Sequence, residues 1–91
     1  MTDRIRSRAT LHHDDAQWAR GGGLNLRWAD LCDARLAATD LCGADLRSAD
    51  MDRADLYHAL LCNADLDGAV LIDADLTGAD LDGARMEEVT R

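Results

Sequence analysis

The feature that most constrains this chain is a period of five residues, which runs without a gap from Leu24 to Glu88. The unit reads Ala-Asp-Leu-x-x and occurs thirteen times in succession. A repeat of this kind must be considered before any other feature, because each unit has to bury its apolar side chains against its neighbours. The central position is always Leu or Met, at Leu26, Leu31, Leu36, Leu41, Leu46, Met51, Leu56, Leu61, Leu66, Leu71, Leu76, Leu81 and Met86.

A period of five fits neither an α-helix nor a flat β-strand. Five residues advance a helix by about 140° beyond a whole turn, which would scatter the central side chains around its surface. In a flat strand, successive central side chains would fall on opposite faces, because side chains alternate and five is odd. If Ala-Asp-Leu is locally extended, Ala and Leu point one way and Asp points the other way. We therefore predict that the two remaining residues turn a corner and that the chain winds into a tube with Ala and Leu inside.

The unit resembles the signature A(D/N)LXX of the pentapeptide repeat family, and the resemblance covers residues 24–88. It implies an all-β solenoid, a right-handed quadrilateral β-helix with four repeats in each coil. About three coils would give a rod roughly 16 Å tall. On this basis we predict a leader with a short N-terminal helical cap at 1–23, a β-helix at 24–88 and a C-terminal tail at 89–91.

The two ends of the predicted rod differ. A short helix ending at Gly21-Gly22-Gly23 would place Trp18 over the N-terminal end of the Leu column, as terminal repeats require a cap. Few residues follow Met86, so we expect apolar surface and unpaired backbone at the C-terminal end. This end favours a homodimer stacked through the C-terminal ends; the alternative is a monomer whose last turn folds over its own end.

The charge of the chain favours basic partners. The formal net charge is −8, and residues 24–91 carry six Arg against fifteen Asp and Glu. Acidity disfavours direct contact with nucleic acid and with membrane surfaces, although Asp belongs to the repeat itself. The chain begins without the apolar segment of a signal peptide and contains no run long enough to span a membrane. We therefore predict a cytoplasmic protein without membrane contact.

Several outward positions depart from the repeat and indicate a partner surface. Leu60 and Val70 replace Asp, and we interpret them with Ile72 as one apolar patch on adjoining faces. Residues twenty apart should stack, which places Arg47 against Asp67. The candidate partner surface consists of Tyr57, Leu60, Val70, Ile72, Asp45, Asp65, Asp55 and Asp75.

The sequence predicts no catalytic, cofactor-binding or metal-binding residues, because a filled tube leaves no shaped pocket. Adjacent His12 and His13 are poor chelators without other fixed ligands. Cys42 and Cys62 should stack at a separation that a disulfide accepts. Because the cytosol is reducing, we expect two free thiols.

We therefore predict a non-catalytic, acidic, rod-like protein-interaction or scaffold module with no cofactor. The resemblance implies one alternative, a DNA mimic that binds DNA gyrase or another type II topoisomerase and confers resistance to topoisomerase poisons. Rows of carboxylates that resemble the phosphates of a duplex favour the mimic. The short rod and the apolar departures at Leu60 and Val70 favour the interaction module.

Overall fold

The computed structural model of the chain describes residues 24–91. Within this range neither a helix nor an extended strand occurs; isolated parallel β-bridges recur at every fifth residue instead. Each bridge joins residues that are twenty apart, as in Asn25 with Asp45 and Asp45 with Asp65. This register confirms the coil length that the resemblance implied. The predicted capping helix and Trp18 lie outside the described residues.

Backbone hydrogen bonds join each coil to the next. The Leu46 N–H donates to the Asp65 carbonyl at 2.8 Å, and the Asp65 N–H donates to the Ala44 carbonyl at 2.9 Å. The same two hydrogen bonds recur between neighbouring coils along the described chain and form a ladder. This ladder continues to a bridge between Val70 and Thr90. The paired backbone thus reaches Thr90, which lies within the segment 89–91 that the sequence predicts as a C-terminal tail.

The corners are tight turns. The Ala49 N–H donates to the Leu46 carbonyl at 3.0 Å, and the same bond closes the corner in every unit from Leu26 to Leu81. The third residue of each turn has φ between 56° and 75°. A closing bond of this kind with positive φ at the third residue is typical of a type II turn. Nine of these thirteen residues are not Gly, so cross-coil bonds, such as that from the Ser48 N–H to the Asp67 carbonyl at 2.9 Å, hold the conformation.

Four turns in each twenty-residue coil give the tube four sides, which we number in chain order. Coil one comprises residues 24–43, coil two 44–63 and coil three 64–83, and residues 84–91 begin a fourth. The central residues are Leu26, Leu46, Leu66 and Met86 on side 1; Leu31, Met51 and Leu71 on side 2; Leu36, Leu56 and Leu76 on side 3; and Leu41, Leu61 and Leu81 on side 4. Columns ten residues apart are half a coil apart and lie on opposite sides.

The interior is filled by the central residues and the Ala side chains. The central residues from Leu26 to Leu66 are at most 2% exposed, and stacked aliphatic groups of this kind pack without voids. Thr39 takes an Ala position and is 2% exposed, and its hydroxyl has no hydrogen-bond partner in the described part of the chain. A buried hydroxyl without a partner destabilises the fold.

Within residues 24–91 no coil covers the C-terminal end of the last coil, in agreement with the predicted apolar surface there. Leu76, Leu81 and Met86 pack against the core but stay half-buried. Their backbone N–H groups point where a further coil would lie, and they have no acceptor among the described residues. No helix in residues 24–91 is long and apolar enough to cross a membrane.

Candidate interaction surface

Ion pairs neutralise much of side 1, where Asp45 and Asp65 lie. Arg47 donates to Asp45 twice, from Nε at 2.9 Å and from Nη2 at 2.7 Å. These hydrogen bonds lower the pKa of Asp45. Arg47 also lies 3.7 Å from Asp65, and Arg85 lies 3.9 Å from that carboxylate. Asp45 and Asp65, the two acids of side 1 in the candidate partner surface, are therefore both close to Arg side chains.

The predicted pairing of Arg47 with Asp67 is wrong. Asp45 stands two residues before Arg47 in an extended stretch, so the two side chains point the same way and meet directly. Asp67 pairs instead with Arg85, whose Nη2 donates at 2.8 Å, and it accepts a second bond from the Glu87 N–H at 2.8 Å. Both bonds lower the pKa of Asp67, the bond from Arg85 more strongly.

Side 2 carries an apolar pair beneath acidic residues. Val70 and Ile72 lie two residues apart in coil three and point outward, and Ile72 is 41% exposed. Asp50 pairs with Val70 through the bridge, and Asp52 occupies the corresponding position above Ile72. Partly exposed carboxylates next to an apolar pair can direct a basic and apolar partner to this side.

Side 2 also has the largest excess of acids. Its outward positions hold five acids and one Arg: Asp30, Asp33, Asp50, Asp52, Asp73 and Arg53. Arg53 donates to Asp33 from Nε at 2.8 Å and from Nη2 at 3.0 Å. Such exposed pairs contribute about 0 to 1 kcal/mol. The remaining acids give this side a negative potential.

A group that the sequence analysis missed lies on side 2. The Cys32 sulfur and one carboxylate oxygen each of Asp30 and Asp50 lie within 4.8 Å of one another. Burial, together with hydrogen bonds to the Asp50 and Asp30 carboxylates, raises the pKa of Cys32 to about 12. The thiol therefore stays protonated at neutral pH, whereas metal binding requires the thiolate. The twenty-residue coil could have revealed this group, because it places Cys32 and Asp50 on neighbouring coils of one side.

Side 3 presents Tyr57 in coil two. This side chain is 47% exposed, and its ring meets the His58 ring edge-on with centroids 4.2 Å apart. The two predicted acids of this side bind their own turns: Asp55 accepts from the Tyr57 N–H at 3.1 Å, and Asp75 accepts from the Thr77 N–H at 3.0 Å. Hydrogen bonds from Thr77 lower the pKa of Asp75. Tyr57 is the second residue of the turn that leads from side 3 to side 4, so it stands at the end of side 3 that is farther from the apolar pair.

Leu60 lies on side 4, away from the other apolar departures. It is 40% exposed and pairs through bridges with Asp40 and Asp80. Its column is ten residues from that of Val70 and therefore occupies the opposite side of the tube. The predicted single patch of Leu60, Val70 and Ile72 is wrong, because two faces half a coil apart cannot adjoin.

Side 4 also carries a disulfide between Cys42 and Cys62, which links coils one and two. The prediction of two free thiols is wrong for this structure. Both residues directly follow a central Leu in one column, which brings their Cα atoms to 4.6 Å, within the range that a disulfide accepts. Cys32 lies in another column and has a free thiol.

One exposed aromatic side chain was not predicted. Trp28 is 74% exposed, more than any other large apolar side chain in the described range. It is the third residue of the first turn, with φ of 64°, so its side chain projects from a corner. Its position two residues after Leu26 could have revealed this exposure from the sequence.

Comparison with known proteins identifies the repeat. A family model for pentapeptide repeats matches residues 25–61 and 54–90, with eight copies. The chain belongs to the pentapeptide repeat family. No sequence match was found among curated proteins.

Two solved structures are similar to the chain. A pentapeptide repeat protein from the thylakoid lumen of Arabidopsis thaliana is 33% identical over 79% of this chain, with a TM-score of 0.67. The pentapeptide repeat protein Rfr23 from the cyanobacterium Cyanothece 51142 is 28% identical over 72% of this chain, with a TM-score of 0.52. The chain spans about half the length of these two structures, 48% and 52% respectively.

Membership implies the right-handed quadrilateral β-helix, and the twenty-residue bridges agree with its four-repeat coil. Pentapeptide repeat proteins are generally non-catalytic. The described interior fits this description, because aliphatic side chains fill it.

Proposed function

We propose that this chain is a non-catalytic protein-interaction module and that its partner binds on side 2. The observation that carries the proposal is the pair Val70 and Ile72, which lies on one face directly beneath Asp50 and Asp52. Side 4 offers the single apolar side chain of Leu60, and side 1 offers acids already held by Arg. Side 2 thus combines apolar area with charge that a partner can still neutralise.

The chemistry of side 2 indicates the kind of partner. An aliphatic or aromatic side chain that covers Val70 and Ile72 would remove apolar area from water, worth about 25 cal/mol per Å². Lys or Arg of the same segment would meet Asp50 and Asp52, which raises the association rate and selects against acidic partners.

Two substitutions of equal chemistry test the proposal. Ile72 and Leu60 are exposed to similar extents, 41% and 40%, but lie on opposite sides. A protein captured by the immobilised chain from its source cells would be identified by mass spectrometry, purified, and titrated against each variant by calorimetry. We expect Ile72→Asp to weaken binding at least tenfold and Leu60→Asp to leave it unchanged. Equal affinity of both variants, or loss with Leu60→Asp alone, would exclude side 2.

The alternative of a DNA mimic has weaker support. Regular carboxylate columns such as Asp30 with Asp50 favour it. On side 1, however, Arg47 and Arg85 contact Asp45 and Asp65, which interrupts the row of charge. A supercoiling assay with purified DNA gyrase separates the two functions, because a mimic must inhibit the enzyme or protect it from a topoisomerase poison. Neither effect at micromolar protein would exclude the mimic.

We also propose that two copies associate through their C-terminal ends. The half-buried side chains of Leu76, Leu81 and Met86 and the unpaired N–H groups of that coil support this arrangement. An extended peptide could pair with one side of the open coil, whereas a second coil of the same shape can meet all four sides. Light scattering across a dilution series should show a dimer, and Leu81→Asp should shift it to monomer. A monomer at tens of micromolar would contradict this proposal.

A further inference from the structure

The chain contains two Asp-Gly dipeptides in equivalent turns, Asp67–Gly68 and Asp82–Gly83. In each, Gly is the third residue of the turn, with φ of +74° and +73° respectively. Asp followed by Gly is the pair most open to an intramolecular reaction, because no side chain on Gly hinders approach of its backbone nitrogen to the Asp carboxyl. The two turns differ in what holds these reacting groups.

At the first dipeptide both groups are held. The Gly68 N–H donates to the Glu87 carbonyl at 2.9 Å, so the nitrogen belongs to the ladder. The Asp67 carboxylate accepts from Arg85 at 2.8 Å and from the Glu87 N–H at 2.8 Å. Arg85 also keeps this carboxyl ionised, whereas loss of water requires its neutral form.

At Asp82–Gly83 neither the carboxylate nor the Gly nitrogen is held by a hydrogen bond within the described residues. The Gly83 N–H points to the open end of the last coil, and it has no acceptor among the described residues. The Asp82 carboxylate is exposed and has no donor in the same range. The Asp82 carbonyl does accept from the Asn63 N–H at 2.8 Å, but the Asp67 carbonyl has an equivalent bond from Ser48 at 2.9 Å. The difference between the sites thus lies in the Asp side chain and the Gly nitrogen.

We propose that Asp82–Gly83 is a site of spontaneous isoaspartate formation and that Asp67–Gly68 is protected from it. The Gly83 nitrogen attacks the side-chain carboxyl carbon of neutral Asp82, a C–N bond forms, and the nitrogen's proton leaves with the carboxyl hydroxyl as water. The product is a five-membered succinimide. Water then hydrolyses one of the two succinimide carbonyls. One product is the original Asp82, and the other is isoaspartate, in which the main chain runs through the side-chain carbonyl carbon.

The isoaspartate product has two consequences. The main chain gains one carbon at a corner of the last coil, which no further described coil constrains. The product also bears a free α-carboxylate beside the new linkage, which is the group that isoaspartyl methyltransferases methylate with S-adenosylmethionine as methyl donor. A repair enzyme of that class would therefore act on the C-terminal end of this β-helix.

Ageing of the whole folded protein tests the proposal. Dilute protein is held for weeks at near-neutral pH and 37 °C, then digested, and isoaspartate is located by electron-transfer mass spectrometry and by enzymatic methyl incorporation. We expect isoaspartate at position 82 to exceed that at position 67 several-fold. The Asp82→Glu variant should abolish the signal, because its reaction would require a less favourable six-membered ring.

Two further samples show whether the fold causes the contrast. The urea-unfolded chain should modify both dipeptides at similar rates, since it has lost the hydrogen bonds to Gly68 and Asp67. The Arg85→Ala variant should raise modification at position 67 in the folded protein. Equal modification of the two folded sites, or none at position 82, would overturn the proposal.

Discussion

Replacing one central Leu by Ala should cost far more in the middle of the β-helix than at its open end. Leu56 and Leu76 occupy the same column of side 3, one coil apart. Leu56 is 0% exposed and lies between Leu36 and Leu76, whereas Leu76 is half-buried with no described coil beyond it. The two substitutions remove the same atoms, so any difference between them reports how each position is enclosed.

The expected magnitudes follow from burial. Leu56→Ala loses the transfer free energy of the side chain and also encloses a cavity, which together cost about 3 to 5 kcal/mol in a close-packed core. Leu76→Ala encloses no cavity, and it loses only part of a transfer free energy of about 1.5 to 3 kcal/mol. We therefore expect the two variants to differ by about 2 kcal/mol in the free energy of unfolding.

Urea denaturation followed by circular dichroism measures this difference, at a protein concentration low enough to keep the chain monomeric. Leu56→Met serves as the control, because a volume-conserving change should cost less than about 1.5 kcal/mol. Equal destabilisation by Leu56→Ala and Leu76→Ala would refute the reasoning, since it would mean that the last coil is as enclosed as the middle one.

Three other predictions concern a hydroxyl, a thiol and the disulfide. Thr39→Val should raise the free energy of unfolding by about 1 kcal/mol in the same denaturation assay. The reason is that it removes the buried hydroxyl, which lacks a partner among the described residues. A loss of stability would contradict this prediction. Cys32 should react with iodoacetamide at pH 8 roughly a thousandfold more slowly than an ordinary thiol, because its pKa is raised to about 12. Asp50→Asn should speed the reaction. Labelling at an ordinary rate would show that the thiol is not shielded. Replacing Cys42 and Cys62 by Ser should cost about 3 kcal/mol, the loop-closure entropy of a disulfide spanning twenty residues, and unchanged stability would mean that the bond does not constrain the unfolded chain.

The period of five predicted the inward and outward positions well. The central residues and their Ala neighbours fill the interior, and the expected exposure of the last coil is confirmed. These features follow from side-chain direction along an extended stretch, which every repeat shares. The coil of twenty residues came from the resemblance to the family and not from the period, and the bridges confirm it.

Contacts between outward side chains were harder to predict. The coil places Arg47 near Asp45, Asp65 and Asp67, and its rotamer decides which of them it contacts. The disulfide likewise depends on sulfur orientation and on redox conditions, neither of which a repeat specifies. These choices are made by side chains and solvent after the backbone register is set.

The position of the candidate surface could have been predicted better. Leu60 and Val70 are ten residues apart in a coil of twenty, which already places them on opposite sides. The same count would have placed Cys32 beside Asp50. Location in the cytoplasm, absence of direct nucleic-acid contact and the identity of the partner depend on the cell as well as on the fold, and they stay predictions.

The central claim is that successive coils pair their backbones at a fixed offset around a filled interior. Hydrogen-bond scalar couplings in the NMR spectrum of the isotope-labelled protein measure this directly. The structure predicts couplings from the amide nitrogen of each central residue between Leu26 and Leu71 to the carbonyl carbon nineteen residues later, for example from Leu46 to Asp65 and from Leu56 to Asp75. Couplings to carbonyls four residues earlier, as in an α-helix, or no long-range couplings at all in this region, would contradict the account.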